Sequence, residues 1–168
     1  MVFTLDRGAR VLIRPIEPGD KEKLAIGLRR LSEESIRKRF LAAKPRFTAA
    51  ELRYLTEVDG VNHIALVAVL ERDPEQLVAV ARCVRMPDRP DTAEMAIVVG
   101  DPWQTQGLGR ELATRLADAA RAVGVRRFAA TMLGDNEAAQ RLMRTFSRRL
   151  QVGWAGAGVR EVLVELAA

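Results

Sequence analysis

Val99-Gly100-Asp101-Pro102-Trp103-Gln104-Thr105-Gln106-Gly107-Leu108-Gly109-Arg110 is the stretch on which the reading of this chain turns. An apolar run, Thr92 to Gly100, leads into it, and a stretch of helical periodicity from about Leu108 to Val123 leaves it, so the segment joins a strand to a helix. Gly107 and Gly109 let the backbone approach a ligand without Cβ clashes. The first N–H groups of the helix have no intrahelical acceptors and point at the same spot, where the helix dipole favours negative charge. The loop therefore reads as a phosphate or pyrophosphate site, against the plainer reading of a glycine-rich turn with no ligand.

Two phosphate-loop types do not fit. A P-loop requires Gly-Lys-Ser/Thr at the helix start, where this chain has Gly109-Arg110-Glu111. A Rossmann fingerprint requires a third small residue where Leu112 stands, and it opens the first βαβ unit of a parallel sheet. Here the loop arrives after three apolar runs, Val61 to Glu71, Gln76 to Met86 and Thr92 to Gly100. They are separated by turns at Asp73-Pro74-Glu75 and Pro87 to Pro90, the pattern of an antiparallel meander.

Downstream, Leu108, Leu112, Leu116, Ala120 and Val123 share one helix face while Arg110, Arg115, Asp118 and Arg121 lie elsewhere, and Gly124 stops the helix. Arg127 to Leu133 reads as a strand parallel to the one before the helix, completing a βαβ unit. A helix from Asp135 to about Phe146 follows, then strands Leu150 to Trp154 and Val159 to Leu166 around a turn at Ala155 to Gly158. Upstream stand a strand from Arg10 to Ile16 and a turn, Glu17 to Asp20. Asp20 is the expected cap of a helix reaching about Leu31, with Leu24, Ile26, Leu28 and Leu31 for the core. A charged helix starts at Ser32, and a third runs from Thr48 to Glu57, where Thr48 and Glu51 have capping-box spacing. The order is strand, helices, three strands, helix, strand, helix, two strands.

The 168 residues fit a single domain, 1–168, and with 48% hydrophobic and 29% charged residues the chain reads as globular. No apolar run approaches the roughly 18 residues needed to span a membrane, and Met1 to Arg14 carries charges where a signal peptide needs an apolar segment, so a cytoplasmic protein is expected. The net charge of +5 suits an anionic partner or a phosphorylated cofactor. Arginines interspersed with acids, no basic tail, and only two tryptophans and one tyrosine speak against nucleic acid. The single cysteine, Cys83, excludes an intramolecular disulfide and disfavours a cysteine zinc site, and no metal is expected. Mid-strand, Cys83 reads as a small core residue rather than an acyl carrier. The single histidine, His63, would have to carry any histidine-based triad alone.

Gln104-x-x-Gly107-x-Gly109 resembles the Gln/Arg-x-x-Gly-x-Gly/Ala signature of the GNAT N-acetyltransferases, and the element order above is that family's order. Within the family, Leu31-Ser32-Glu33-Glu34-Ser35, the stretch Asp59-Gly60-Val61-Asn62-His63-Ile64-Ala65-Leu66-Val67-Ala68, and Ala93-Glu94-Met95-Ala96-Ile97-Val98-Val99 look like the bacterial Pat-type protein-lysine acetyltransferases. The 168 residues hold no counterpart of the regulatory nucleotide-binding domain that some Pat enzymes carry, so direct cyclic-nucleotide control is not expected.

The resemblance implies an α/β (α+β) fold with a mixed central sheet of about seven strands, helices on both faces, and splayed fourth and fifth strands. It implies acetyl-CoA as co-substrate, lying in the splay. Backbone groups of Ile97, Val98 and Val99 would meet the pantetheine arm, Gln104, Thr105, Gln106, Gly107, Leu108, Gly109 and Arg110 the pyrophosphate, and Asn136 would sit near the coenzyme. One N–H of the strand would polarise the thioester carbonyl. Glu94 is implied as general base, with partial burial raising its pKa toward the working pH. Many relatives place a tyrosine seven residues after the helix-start asparagine to protonate the thiolate; here that position is Met143.

His63 is open between a substrate-side or proton-relay role and a structural one, and so is Tyr54, on a helix that often borders the acceptor site. Trp103 is expected to pack beneath the loop. The acceptor would be a primary amine, a protein lysine first and a small amine second, with a non-catalytic CoA-binding module as the alternative class. The sequence leaves the oligomeric state open, an oligomer included.

Overall fold

A computed structural model describes residues 1–167. In chain order the elements are β1 (Val2–Thr4), β2 (Arg10–Pro15), α1 (Lys21–Arg29), α2 (Glu33–Phe40), α3 (Ala49–Thr56), β3 (His63–Leu70), β4 (Asp73–Met86), β5 (Arg89–Val99), α4 (Leu108–Ala122), β6 (Arg127–Leu133), α5 (Glu137–Met143), β7 (Leu150–Gly156) and β8 (Val159–Glu165). The strands form one sheet ordered β1-β2-β3-β4-β5-β6-β8-β7, in which only β5 and β6 pair in parallel. The mixed sheet and the order of elements are as expected; the strand number is eight rather than about seven. The extra strand, β1, is three residues at the edge, pairing Val2 with Leu12 and Thr4 with Arg10, too short to show a period.

Two turns move. Asp73, Pro74 and Glu75, expected in a turn, lie in β4, and Leu70 pairs with Asp73 across the two-residue turn Glu71-Arg72. The register shifts between Ala68, Val69 and Leu70, so Pro74 falls in a bulge, where a strand tolerates a residue without an N–H. The next turn is likewise shorter: β5 already begins at Arg89, inside the expected Pro87 to Pro90 turn. Three helices are trimmed too, α1 ending at Arg29, α3 at Thr56 and α5 at Met143. Asp20 does not cap α1 with its side chain. It accepts Arg14 Nη1 and Nη2 at 2.8 and 2.7 Å and the Glu17 N–H at 2.9 Å, a buried ion pair that pins the turn. The caps Ser32 and Thr48 form as expected, with Ser35 N–H donating to Ser32 and the Thr48–Glu51 box closed in both directions.

Both faces of the sheet are covered, which is why every residue of β3 is buried. Ile64, Leu66, Ala81, Cys83 and Met95 pack with Leu112, Leu116 and Phe128 on the α4 side. Ala65, Val67 and Val80 pack with Ile16 and Leu24 on the other, where Leu52 and Leu55 of α3 close the layer. Leu112 and Leu116 are wholly buried, and each such side chain contributes about 1.5 to 3 kcal/mol. Cys83 belongs to this core, and burial pushes its thiol up to about 12, so it stays protonated at neutral pH.

One break in the sheet positions the site. β5 and β6 pair only at Thr92–Arg127, Ala93–Phe128 and Glu94–Ala129. From Met95 on, β5 stays with β4 while β6 follows β8, and the two strands part.

Candidate active site

The parting strands open a groove of about 350 Å³, walled by residues 95–99 of β5 and residues 130–132 of β6, with α2, α5 and the glycine loop at its margins. Of the residues expected at the coenzyme, Ile97, Val98, Val99, Gln104, Thr105, Gly109 and Asn136 line it. Gln106 and Leu108 turn their side chains into the protein instead, 3% and 1% exposed, so only their backbones are available. Gln106 Nε2 donates to Pro102 O at 3.0 Å, holding the loop's shape. Arg110 is exposed on the first turn of α4. Asn136 caps α5, its Oδ1 accepting the Ala139 N–H at 3.1 Å.

The loop is built as an amide cradle. Gly107 is the N-cap of α4 with φ 85°, and Thr105 also takes a left-handed conformation at φ 57°. The N–H groups of residues 105–110 make no hydrogen bond with any described residue. Uncommitted amides at the positive end of a 15-residue helix fit an oxyanion such as pyrophosphate. A Cβ at Gly109 would meet only Val99 Cγ2, at 3.8 Å, so the protein itself leaves room there.

The loop is also tied to α2, which sequence reading missed. Asp101 accepts the Ser32 N–H at 3.0 Å, Ser32 Oγ at 2.6 Å and Ser35 Oγ at 2.9 Å, and Gln104 Nε2 reaches Ser35 Oγ at 3.2 Å and Val99 O at 2.9 Å. Burial works to raise the Asp101 pKa, but the donors on Ser32 and Ser35 outweigh it and hold the carboxylate below its ordinary value. Ser32 and Ser35 show in the sequence only as helix-start residues; nothing local pairs them with a loop 69 positions away. Trp103 is half-buried against the core and lines both the groove and a neighbouring apolar cavity of about 260 Å³.

Glu94 stands at the other end, in the last residue pair before the strands separate. The expected partial burial is absent: Glu94 is exposed, opposite half-buried Val84. By register Glu94 shares a face with Arg82 and His63, since Val84 pairs with both Glu94 and His63 while Arg82 pairs with Ala65 and Ala96. This is the α1–α3 side of the sheet.

His63 is buried, and its Nε2 lies 2.9 Å from Arg82 Nη1. A guanidinium only donates, so His63 accepts at Nε2 and carries its proton on Nδ1. Burial, then the Arg82 charge, lower its pKa to about 4 against a smaller upward pull from Asp59. An unfolded chain takes up this proton near pH 6.5, so His63 favours folding fully above that pH and loses its contribution as pH falls to about 4. Urea melts of the wild type should lose on the order of 3 kcal/mol more than His63→Gln across that window. Parallel pH profiles would rule the coupling out.

Tyr54 of α3 is 58% exposed, its ring tilted against His63 at 4.9 Å, and it does not line the groove. Met143 is 1% exposed and does line it. A thioester leaves as a thiolate, and a free thiol has a pKa of about 8.5, so departure near neutral pH needs little help from an acid. Met143→Leu, which preserves volume, should change kcat by less than about threefold, and Tyr54→Phe by less than about tenfold. A hundredfold fall in Tyr54→Phe with the high-pH limb of the rate profile gone would make Tyr54 the acid. Among the described residues no group of three His, Cys, Asp or Glu side chains could hold a metal, and no helix is long and apolar enough to cross a membrane.

Comparison with known proteins agrees with this architecture. The family model described as acetyltransferase (GNAT) family matches residues 31–147. Acetyltransferase Pat of Mycolicibacterium smegmatis is 36% identical over 154 residues, covering 92% of this chain and 44% of the relative. The crystal structure of the GNAT domain of S. lividans PAT superposes with a TM-score of 0.87 at 28% identity, covering 99% of this chain and 96% of that one. A cAMP-binding acyltransferase from Mycobacterium smegmatis superposes with a TM-score of 0.68 at 31% identity, over 100% of this chain and 47% of its own. The chain thus spans about half the length of the M. smegmatis proteins. With the family match running from α2 through α5 and the fold superposing along almost the whole chain on the S. lividans GNAT domain, the chain belongs to the acetyltransferase (GNAT) family.

Proposed function

We propose that this chain, acting as one domain, moves an acetyl group from acetyl-CoA to a primary amine, with a lysine of a cytosolic protein as acceptor. The observation that carries this reading is the set of uncommitted N–H groups at residues 105–110, at the end of a groove that runs beside β5 toward Glu94. The cradle takes the pyrophosphate, residues 97–99 take the pantetheine arm through their backbones, and the thioester reaches the end where the strands meet. Glu94 removes a proton from the incoming ammonium group. The amine nitrogen then bonds the carbonyl carbon, a strand N–H stabilises the oxyanion, the C–S bond breaks to release the thiolate of CoA, and the second proton shed by the nitrogen passes to that thiolate through solvent. The choice of a protein lysine is supported by the 36% identity to acetyltransferase Pat.

An acceptor screen with labelled acetyl-CoA tests this, offering bacterial lysate proteins and a panel of small amines and reading labelled lysines by mass spectrometry. Labelled protein is the expected result. Fast turnover of a small amine with no labelled protein would replace the acceptor class, and tight acetyl-CoA binding without any transfer would make the chain a binding module.

A further inference from the structure

We infer that Arg39 and Arg82 form an anion subsite beside Glu94, and that the acceptor carries a carboxylate close to its reactive amine. This rests on the acetyl-transfer reading above and concerns what the acceptor must look like.

Arg82 is 6% exposed, yet it has no carboxylate within ion-pair distance among the described residues. Its hydrogen bonds all leave from Nη1, to Leu55 O at 3.0 Å and His63 Nε2 at 2.9 Å. Neither partner is an anion, because His63 is held neutral as the acceptor. Among the described residues the only fully enclosed side-chain nitrogen or oxygen without a partner is Arg160 Nε, so Arg82 Nε and Nη2, which make no bond, are not fully enclosed. Arg39, on α2, is half-buried at the groove wall, stacks on Phe40 at 4.8 Å, and makes neither a hydrogen bond nor an ion pair with a described residue. Arg39 lines the groove together with Met95 and Ala96, and Arg82 pairs with Ala96, so both arginines flank the stretch of β5 that follows Glu94.

A buried guanidinium and a half-buried one beside it, neither with a carboxylate within ion-pair distance, are costly to the folded protein. A planar carboxylate, which guanidinium binds in a fork, removes that cost when it arrives. The face decides the source. Arg82 and Glu94 are on the α1–α3 side of the sheet and neither lines the groove between β5 and β6 that would hold the coenzyme, while Arg39 stands at that groove's margin. The carboxylate therefore comes with the acceptor: for a protein, an acidic side chain next to the acetylated lysine. The same two arginines would repel polycationic amines.

The test compares a lysine peptide flanked by glutamate with the same peptide flanked by glutamine. Wild type should show kcat/KM about tenfold or more higher for the acidic peptide, falling with added salt, and Arg39→Gln and Arg82→Met should each bring the ratio to within about threefold of one. Arg39→Gln, on a half-exposed position, serves if Arg82→Met does not fold. A ratio near one in the wild type, or one preserved in both variants, overturns the subsite. So does a pattern in which the variants lose only a preference for succinyl-CoA over acetyl-CoA, which would place the carboxylate on the donor. If no peptide is turned over, the protein-lysine reading fails, and 6-aminohexanoate against 6-aminohexanamide decides the subsite by the same ratio. If nothing is turned over, phenylglyoxal labelling of Arg39 decides it. The acidic peptide should slow labelling more than the neutral one, and equal rates overturn the proposal.

Discussion

Glu94→Gln should lower kcat by a factor on the order of 10² to 10⁴, the range for a lost general base, with acetyl-CoA affinity unchanged. The amide keeps the size of the side chain but cannot accept a proton from the acceptor ammonium. Glu94 does not line the coenzyme groove, so its loss should leave binding of the donor alone. It stands where β5 leaves β6, which places a carboxylate at the end of the groove on the side open to an incoming amine. The low-pH limb of the rate profile should vanish with the carboxylate. Stopped-flow or steady-state kinetics at saturating acetyl-CoA reads the effect; activity within about threefold of wild type would remove Glu94 from the role.

Gly107→Glu should abolish acetyl-CoA binding in a protein that still folds. Gly107 takes φ 85° at the head of α4, a conformation that costs an L-residue about 1 to 3 kcal/mol. A new Cβ would meet Asp6 Oδ1 and Phe3 Cζ, both at 3.7 Å, which is ordinary contact, so no collision prevents folding. The carboxylate would add negative charge at the head of α4, within a side chain's length of the free N–H groups of residues 105–110, and repel a phosphate there. Gly107→Ala separates the two effects: it carries the backbone strain without the charge, and should weaken binding yet keep it measurable by calorimetry. Equal loss in both variants would assign the effect to strain, and unchanged affinity in Gly107→Glu would take the cradle out of the binding site.

Much of this was legible without coordinates, where the signal was local. The glycine spacing, the helical period of Leu108, Leu112 and Leu116, and the apolar runs on either side are contained within a few turns of chain, and the structure forms a strand, loop and helix there. The Thr48–Glu51 capping box is likewise a four-residue event. The elements misplaced were those without a local period: β1, three residues long, and the β3–β4 turn, moved because Pro74 is absorbed in a bulge that only the pairing partner reveals.

The acceptor side was not legible. Glu94, in an apolar strand, reads as half-buried, and its exposure depends on what the folded chain packs around it. Arg82 reads as one arginine among many, and only the pairing of three strands puts it on the face of His63 and Glu94 with Leu55 O as its partner. The sequence by itself determined that this chain makes a βαβ unit with an amide-lined loop, because backbone conformation and helix dipoles follow from short-range residue order. The tertiary structure decided where β5 and β6 part, how Asp101 holds Ser32 and Ser35, and which charges are left uncompensated, because these are contacts between residues tens of positions apart that exist only once the sheet has closed.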